Sequence, residues 1–439
     1  MNVGKILLTA LLDIGFSGDI YPGNPHTAEI DGLKTYPNIS AIQGTVDLAI
    51  VSVLHNSVLT VARECAAQGV RGVVLFTGGS IEGGTNQGEE LEKELGKIAQ
   101  SSGMRLLGPN CMGIYSSAAR LSFFPGLPKD PGTVGIISQS GSLAIMLGKL
   151  ALQNGIRFSK IVSTGNECDL NSADLLAYFS QDSDTSIRGG YIEGIKNGPY
   201  FMKALSEATQ EKPVVLWKTG ANPEGYKAVT SHTGALSISS EVWQGVVRQT
   251  GAIPAIGFEE WSDMLMGFSL LPPFLGDRIA IVVMKDGLPL AAVDACLNAG
   301  IKLAEISPQT HLSLTQLISP TSANLSNPID LSLTAVENEG VCTEAIRILA
   351  SDPGVDSVLI VGIWLETEEA RLFSNSLKEF SKELGKPFLL ADMLGSYRGI
   401  AQDLEQTSIL FFESVERAMS TYAKVHYYYI SRKNNTFSC

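Results

Sequence analysis

Short apolar runs recur along the chain, and they alternate with segments of helical periodicity. This alternation predicts parallel sheets covered by helices, because a parallel strand can rejoin its sheet only through a crossover connection. The predicted strands lie at 19–21, 46–53, 72–77, 105–107, 133–137, 160–163, 190–193, 213–218, 279–284, 302–304, 355–363 and 387–392. Since 439 residues are too many for one ordinary domain, we expect an α/β fold with three successive parallel-sheet domains.

The predicted domains are separated by short turn-rich segments. They span residues 1–122, 130–272 and 278–424, with a Pro/Gly linker at 271–277 and a tail at 425–439. The three tyrosines at 427–429 fit a partner-contacting end or, more simply, ordinary packing. The first domain begins with an apolar helix that should end at Gly15, whereas a dinucleotide-type fold begins with a strand and a glycine-rich turn. We therefore expect its sheet to lack the opening strand, or another segment to fill the gap.

Composition excludes several classes of protein. The chain has 44% hydrophobic and 18% charged residues, as expected for a globular enzyme, and its net charge of −13 argues against a nucleic-acid partner. The six cysteines are scattered without a CxxC pair, so neither a disulfide framework nor a metal site is predicted. The apolar start lacks a cleavage signal and no run is long enough to cross a membrane, so we expect a soluble, cytoplasmic protein.

Polar, glycine-containing loops follow the predicted strands of the second domain. They are SQSGS at 138–142, TGNECDLNSAD at 164–174, EGIKNG at 193–198 and the KTG-containing stretch from 218. The carboxyl ends of parallel strands meet at one edge of a sheet, where ligands of doubly wound folds bind. We therefore expect this edge to bring together four polar side chains: Ser140, Asn166, Glu193 and His232.

His232 lies in the sequence SHTGAL, just before a segment of helical periodicity that Ser239 or Ser240 can cap. The amino end of that helix would stabilise an anion near the imidazole. Glu193 could accept a hydrogen bond from one imidazole nitrogen and leave the other as a nucleophile. Two simpler interpretations stay open: SHTGA as an ordinary turn with a solvent-exposed histidine, and Glu193 as a capping or salt-bridged carboxylate.

Five motifs in a fixed order carry a family resemblance. They are GPNCMGI from Gly108, GNECDLNSADLL from Gly165, YIEGIKNG from Tyr191, SHTGAL around His232 and SNPIDL from Ser326. Together they resemble the NDP-forming acyl-CoA synthetase family, the ADP-forming acetate–CoA ligases related to succinyl-CoA synthetase. The resemblance covers residues 1–424 and implies an α-subunit arrangement. That arrangement has a Rossmann-like CoA-binding domain, a flavodoxin-like ligase domain with a phosphohistidine, and a second flavodoxin-like ligase domain.

The resemblance also implies roles for individual residues. His232 would carry phosphate and Glu193 would position it. Cys111 would lie near the thiol end of CoA without acting as a nucleophile. The expected CoA-binding residues are Tyr21, Pro22, Asn24, Pro25, Thr77, Gly78, Glu82, Asn110 and Cys111. The expected phosphate-binding residues are Ser140, Gly141, Ser142, Asn166 and Gly234.

The implied reaction converts a carboxylate, CoA and ATP reversibly to acyl-CoA, ADP and phosphate. A separate ATP-grasp β-type subunit would hold the nucleotide and Mg²⁺, giving a hetero-oligomer; the acid and the choice of ADP or GDP stay open. One departure from the family pattern is the turn at 284–289, where Lys285 and Asp286 stand in place of glycines. This turn, and the missing strand and glycine-rich turn at the start of the first domain, leave one alternative open. In it the chain is a non-catalytic subunit that binds CoA or acyl-CoA and regulates or scaffolds a partner enzyme. An acyltransferase-linked module is disfavoured by the retained His232.

Overall fold

The structure is a computed structural model. It describes residues 3–76, 86–153, 155–220, 238–273, 276–284, 289–318, 325–331, 339–362, 367–392 and 408–433. The chain forms two compact units. The first is built from Met1–Leu150 and Arg157–Trp261, and the second from Ser262–Ser438 with Ala151–Ile156.

The first unit contains two main sheets with their covering helices, one parallel and the other parallel except for one edge strand, and a small antiparallel pair of strands. The helices that begin in it are α1 Val3–Ile14, α2 Val58–Ala67, α3 Asn86–Ser102, α4 Gly141–Gln153, α5 Ser172–Gln181, α6 Gly198–Glu211, α7 Ser240–Thr250 and α8 Gly257–Leu270. The strands are β1 Glu29–Ile30, β2 Leu33–Lys34, β3 Leu48–Val51, β4 Gly72–Leu75, β5 Arg105–Leu107, β6 Gly113–Ser116, β7 Val134–Ser138, β8 Phe158–Ser163, β9 Ile187–Ile192, β10 Val214–Lys218 and β11 Ile253–Ala255. Both sheets therefore follow the βα alternation predicted from the sequence.

The smaller sheet has the order β3-β4-β5 with parallel pairing. In the described part of the chain β3 is an edge strand, so no opening strand stands beside it. Helix α1 buries Leu7 and Ile14 and is followed by Gly15 with φ +81°, as predicted. The strand predicted at 19–21 is wrong. Proline cannot donate to a strand ladder, and this proline-containing segment instead pairs with Tyr36, whose N–H donates to Pro22 O (2.9 Å) and whose carbonyl accepts from Asn24 N (2.9 Å).

The larger sheet has the order β11-β10-β9-β7-β8-β6. Strands β7 to β11 are mutually parallel, and β6 is antiparallel to β8. Every residue of β7 is buried, as expected for a strand covered on both faces. The order of β7 to β11 corresponds to the flavodoxin-like order 2-1-3-4-5, whose topological switch point lies between the first and third strands. Here that crevice lies between β7 and β9.

The second unit repeats this winding. Its helices are α9 Pro289–Asn298, α10 Pro308–Leu317, α11 Glu339–Ala350, α12 Thr367–Leu384 and α13 Val415–Lys433. Its strands are β12 Arg278–Val283, β13 Lys302–Leu303, β14 Ile329–Asp330, β15 Ser357–Val361, β16 Phe388–Ala391 and β17 Ile409–Phe412. The parallel order is β13-β12-β15-β16-β17, and β14 also pairs with β12. The chain is thus α/β with three parallel sheets, two of them flavodoxin-like.

Helix α13 continues past the predicted end of the third domain at 424. It buries Val425 and His426, and the Tyr428 ring packs edge-on against Phe268 with centroids 5.1 Å apart. Residues 425–433 therefore pack within the second unit. The residue limits of the three domains stay a prediction, because the first two sheets lie in one compact unit. Within the described ranges, none of the helices combines the length and apolar character that a membrane span requires.

Candidate active site

Gln139 connects the ends of the two strands that flank the switch point. It directly follows β7, and its side-chain Oε1 accepts from the backbone N–H groups of Glu193 (2.6 Å) and Gly194 (2.9 Å), which directly follow β9. Its Nε2 donates to Gly194 O (2.8 Å), and its own N–H donates to Tyr191 O (3.2 Å). Glu193 is thereby fixed at the crevice where ligands of this fold bind. Gln139 was not among the predicted site residues.

The SQSGS loop ends at the first turn of α4. Ser140 caps this helix, since its Oγ accepts from Leu143 N at 3.4 Å. Gly141 approaches a neighbouring loop so closely that a Cβ there would lie 2.4 Å from Met112 Cγ, and Ser142 is exposed. The first turn of a helix carries N–H groups without intrahelical partners, which suit an anion. The phosphate-binding roles of Ser140, Gly141 and Ser142 stay predictions.

The GPNC and GNEC loops are joined by backbone hydrogen bonds. Asn166 N donates to Pro109 O (2.9 Å) and Cys168 N donates to Gly108 O (3.0 Å). Gly165 has φ +59°, and a Cβ there would lie 2.2 Å from Pro109 O, so only glycine permits this approach. As a result Asn110, predicted to bind CoA, lies beside Asn166, predicted to bind phosphate, with Asn110 Nδ2 donating to Asn166 Oδ1 at 3.4 Å.

Glu167 is a buried carboxyl that the sequence prediction missed. It is 6% exposed, has φ +57°, and accepts hydrogen bonds from Ser172 N (3.1 Å) and Ser172 Oγ (2.5 Å). Burial raises the pKa of Glu167, while hydrogen bonds from Ser172, Gln139 and Thr164 act in the opposite direction. The Glu167 carboxyl therefore helps to hold the Gln139 side chain in place. The only sequence signal was an acid inside a glycine-containing loop, which does not reveal burial.

Lys218, the last residue of β10, is also held at this edge. Its Nζ donates to Glu193 O at 2.9 Å and to Thr219 O. Burial lowers the pKa of Lys218 to about 8, and the Glu193 carboxylate opposes that shift. Beside it, Thr219 Oγ1 donates to Tyr191 Oη at 3.2 Å, and burial raises the pKa of Tyr191 to about 12. Lys218 therefore loses its proton more easily than an ordinary lysine, and no pattern in the sequence indicated this.

The stretch that carries His232 and Gly234 begins three residues after Lys218. Residues 221–237 lie outside the described residues, and both histidine and glycine with them. Helix α7 follows at Ser240, and Ser239 caps it by accepting from Val242 N at 3.4 Å. The predicted helix and its cap are confirmed. The roles of His232 and Glu193 remain predictions.

The predicted CoA-binding residues fall into separate groups. Tyr21 stacks edge-on with Tyr36 at 5.7 Å, and Asn24 Oδ1 accepts from His26 N at 2.8 Å, so the described contacts of this loop are local. Thr77, Gly78 and Glu82 lie outside the described residues. The structure thus brings Asn110 to the phosphate-site loops, and the CoA-binding roles of 21–25, 77–82 and 110–111 stay predictions.

Cys111 is buried between the ends of two strands. Its thiol lies 3.5 Å from Leu75 O and 3.6 Å from Leu107 O. Burial raises the pKa of Cys111 to about 12, so the sulfur is a thiol rather than a nucleophilic thiolate at neutral pH. This agrees with the expectation that Cys111 is not a nucleophile. The described cysteines, Cys65, Cys111, Cys168, Cys296 and Cys342, are free.

Two segments of the chain match known domain families. Residues 1–117 match the CoA binding domain, and residues 131–268 match the succinyl-CoA ligase like flavodoxin domain. These matches cover the sheet with the exposed β3 edge and the sheet with the Gln139 crevice. They define the class of protein: a CoA-binding segment joined to a ligase domain of the succinyl-CoA ligase type.

Comparison with whole proteins narrows the class. The α subunit of the ADP-forming acetate–CoA ligase II of Pyrococcus furiosus is 34% identical over 416 residues, covering 93% of this chain and 90% of the relative. The acetyl-coenzyme A synthetase 1 of Ca. Korarchaeum cryptofilum, described as dinucleotide forming and solved with phosphate and ADP, superposes with a TM-score of 0.83. The two sequences are 32% identical, and the match covers 99% of this chain and 93% of the synthetase chain. The chain belongs to the family of ADP-forming acetate–CoA ligases.

Members of this family differ in length. The ADP-forming acetate–CoA ligase of Methanocaldococcus jannaschii is 36% identical over 331 residues, which are 75% of this chain and 46% of that relative. The matched part is thus about half of the longer protein.

Proposed function

We propose that this chain is the α-type subunit of an ADP-forming acyl-CoA ligase that reversibly converts carboxylate, CoA and ATP to acyl-CoA, ADP and phosphate. The observation that carries the proposal is the fixed position of Glu193. Gln139 binds the backbone of Glu193 and Gly194 on one side, and Lys218 binds the Glu193 carbonyl on the other. Lys218, one of the two residues that hold Glu193, is also followed closely in the sequence by the stretch that contains His232.

In the direction of ATP synthesis, a phosphate oxygen attacks the acyl carbonyl carbon and the CoA thiolate leaves, which gives an acyl phosphate. An imidazole nitrogen of His232 then attacks the phosphorus atom, and the carboxylate leaves. Glu193 accepts a hydrogen bond from the other imidazole nitrogen and so selects the tautomer with a free nucleophilic lone pair. The first turn of α4, with Ser140, Gly141 and Ser142, stabilises the phosphoryl charge together with Asn166 and Gly234.

A second polypeptide would complete the reaction. Phosphohistidine must deliver its phosphoryl group to ADP, whose terminal oxygen attacks the phosphorus atom while the imidazole leaves. We assign the nucleotide and Mg²⁺ to an ATP-grasp β-type subunit, so that the working enzyme is a cytoplasmic hetero-oligomer. Two facts support this: the P. furiosus relative is described as an α subunit, and the longer M. jannaschii relative has room for a further module. CoA would bind at 21–25, 77–82 and 110–111.

The test is phosphorylation of His232. The full chain, with and without a β-type subunit, is incubated with radiolabelled acetyl phosphate or ATP, and acid-labile, alkali-stable phosphate on the protein is counted. We expect the wild type to be labelled and His232→Ala to be unlabelled. His311→Ala, which removes an exposed histidine of α10, should be labelled like the wild type. An unlabelled wild type, in the presence of an active partner, would favour the non-catalytic CoA-binding subunit instead.

A further inference from the structure

Glu92, on helix α3, uses both carboxylate oxygens to hold two loops of the ligase sheet. Oε1 accepts from Asn166 Nδ2 at 2.9 Å, and Oε2 accepts from Lys196 Nζ at 2.9 Å. Asn166 follows β8 and Lys196 follows β9, the two strands that flank β7, so one side chain reaches loops on both sides of β7 at the same sheet edge. The Glu92 side chain is 14% exposed and the Lys196 side chain 38% exposed, so the carboxylate is mostly buried while the ammonium group stays partly open to solvent.

Helix α3 belongs to the segment that matches the CoA binding domain. It begins at Asn86, four residues after 77–82, the stretch predicted to hold CoA, and it lies against the GNEC loop: a Cβ on Gly96 would be 3.4 Å from Cys168 O. Two other acids of α3 pair with residues of the CoA-binding segment itself. Glu89 pairs with Lys93 of the same helix, and Glu94 pairs with Lys97 and, at 4.0 Å, with Arg63 of α2. Glu92 therefore points from the CoA-binding segment to the phosphate-site loops.

The contacts of Asn166 show what Glu92 does to it. The amide oxygen accepts from Asn110 Nδ2 (3.4 Å), and one of the two amide hydrogens is given to Glu92. This arrangement fixes the orientation of the amide, because a flipped amide would place its oxygen against the carboxylate. If Asn166 binds phosphate, as proposed above, the second amide hydrogen is the one that would be donated to the anion. Lys196, held by the same carboxylate, adds a positive charge at a set position.

We propose that Glu92 is a positioning residue of the phosphoryl-transfer site, acting from the CoA-binding segment through Asn166 and Lys196. The proposal rests on the proposed function, because it assigns Asn166 to the phosphate that His232 exchanges. Glu92 itself touches no reacting atom. Its effect should therefore appear mainly in the binding of the phosphate donor and less in the maximal rate of labelling.

The experiment measures labelling of the full chain by acetyl phosphate as a function of acetyl phosphate concentration. Glu92→Ala should raise the KM for acetyl phosphate about tenfold, with the maximal rate within about twofold, because a charge-assisted hydrogen bond is lost. Glu92→Gln keeps an oxygen for Asn166 and should recover most of the affinity. Glu94→Ala, two residues away on the same helix, is the matched control and should match the wild type. Asn166→Ala combined with Glu92→Ala should lose less affinity than the sum of the two single losses, because the part of the Glu92 effect that passes through Asn166 is already lost in Asn166→Ala.

The outcomes separate this inference from the proposed function. If the wild type is labelled and Glu92→Ala has the same KM as Glu94→Ala, Glu92 does not position the site. The same conclusion follows if Glu92→Gln is as impaired as Glu92→Ala, or if the two losses add in the double variant. A lower melting temperature with an unchanged KM would indicate a purely structural role and overturn the proposal. A wild type that is not labelled contradicts the proposed function, and the role of Glu92 with it.

Discussion

Replacing Gln139 by alanine should detach Glu193 from the switch point between β7 and β9. The substitution removes the acceptor of two backbone N–H groups, at 2.6 and 2.9 Å, and the donor to the Gly194 carbonyl at 2.8 Å. No other side chain in the described ranges is seen to make these three hydrogen bonds. The loop after β9 should then move, and with it the carboxylate that is proposed to orient His232.

The size of the effect follows from the three lost bonds. Each contributes a net 0.5–1.5 kcal/mol, so the free energy of unfolding should fall by about 2–4 kcal/mol. Water can reach this partly exposed loop and replaces some of the lost interactions, which places the value in the lower half of that range. For a unit of this size, the melting temperature should fall by roughly 5–10 °C.

Two assays check this prediction: thermal unfolding followed by fluorescence, and the rate of His232 labelling by acetyl phosphate. Gln181→Ala, which removes an exposed glutamine at the end of α5, is the control and should change neither quantity. We expect Gln139→Ala to label at least about tenfold more slowly than the control. A variant that melts within about 1 °C of the wild type, and is labelled at the same rate, would refute the bridging role of Gln139.

Three further predictions concern Lys218, Gly165 and Cys111. The folded-state pKa of Lys218 is lowered to about 8 from 10.5, so its ammonium form destabilises the fold below pH 8 and this penalty fades as the pH rises towards 10.5. Urea titrations of the wild type and of Lys218→Met give the difference between their free energies of unfolding. After a discount for partial exposure, this difference, wild type minus variant, should increase by roughly 1–2 kcal/mol between pH 7 and pH 10. A difference that stays constant with pH contradicts the prediction. Gly165→Ala should lower the free energy of unfolding by more than about 3 kcal/mol, because its Cβ would lie 2.2 Å from Pro109 O. The control Gly245→Ala in α7, where a Cβ would meet no atom within 4 Å, should leave the free energy of unfolding unchanged or raise it slightly. Equal denaturation midpoints for the two variants would disprove this. Cys111, with its pKa near 12, should react with iodoacetamide at pH 8 roughly a thousandfold more slowly in the folded than in the unfolded chain, as followed by mass spectrometry. Because Cys111 is not a nucleophile, the Cys111→Ala variant should be labelled on His232 at a rate within about threefold of the wild type.

The sequence was informative wherever local chemistry decides the structure. Most central strands of both flavodoxin-like sheets are apolar runs bounded by turns, and the predictions located them to within a few residues, whereas β6, β11, β14 and β17 were not predicted. The cap of α7 follows from a serine before a helical pattern, and it forms as predicted at Ser239. The strand prediction at 19–21 was wrong because apolar and aromatic residues suggested a strand there, whereas it is the backbone of Pro22 and Asn24 that forms hydrogen bonds, with Tyr36.

The missed site residues share a different cause. Gln139, Glu167 and Glu92 make contacts with residues 28 to 104 positions away in the sequence, and no local pattern distinguishes them from other polar residues. Their partners became clear only once the strand order 2-1-3-4-5 placed the loops after β7, β8 and β9 at one edge. Sequence motifs therefore predicted which loops form the site, and the fold shows which side chains hold those loops in place.

Strand β6 has a practical consequence for building chimeric enzymes from this family. It follows the GPNC loop within the predicted CoA-binding domain, yet it pairs antiparallel with β8 at the edge of the ligase sheet, with Ile114 opposite Val162. A fusion joint placed at 122 would supply β8 with a foreign neighbour from the donor protein. A joint at 107–113 would instead carry β6 together with the sheet to which it binds, but would divide the GPNC loop from the strand that precedes it. Exchange of CoA-binding segments between relatives should therefore succeed best when β6 and β8 are taken from the same parent.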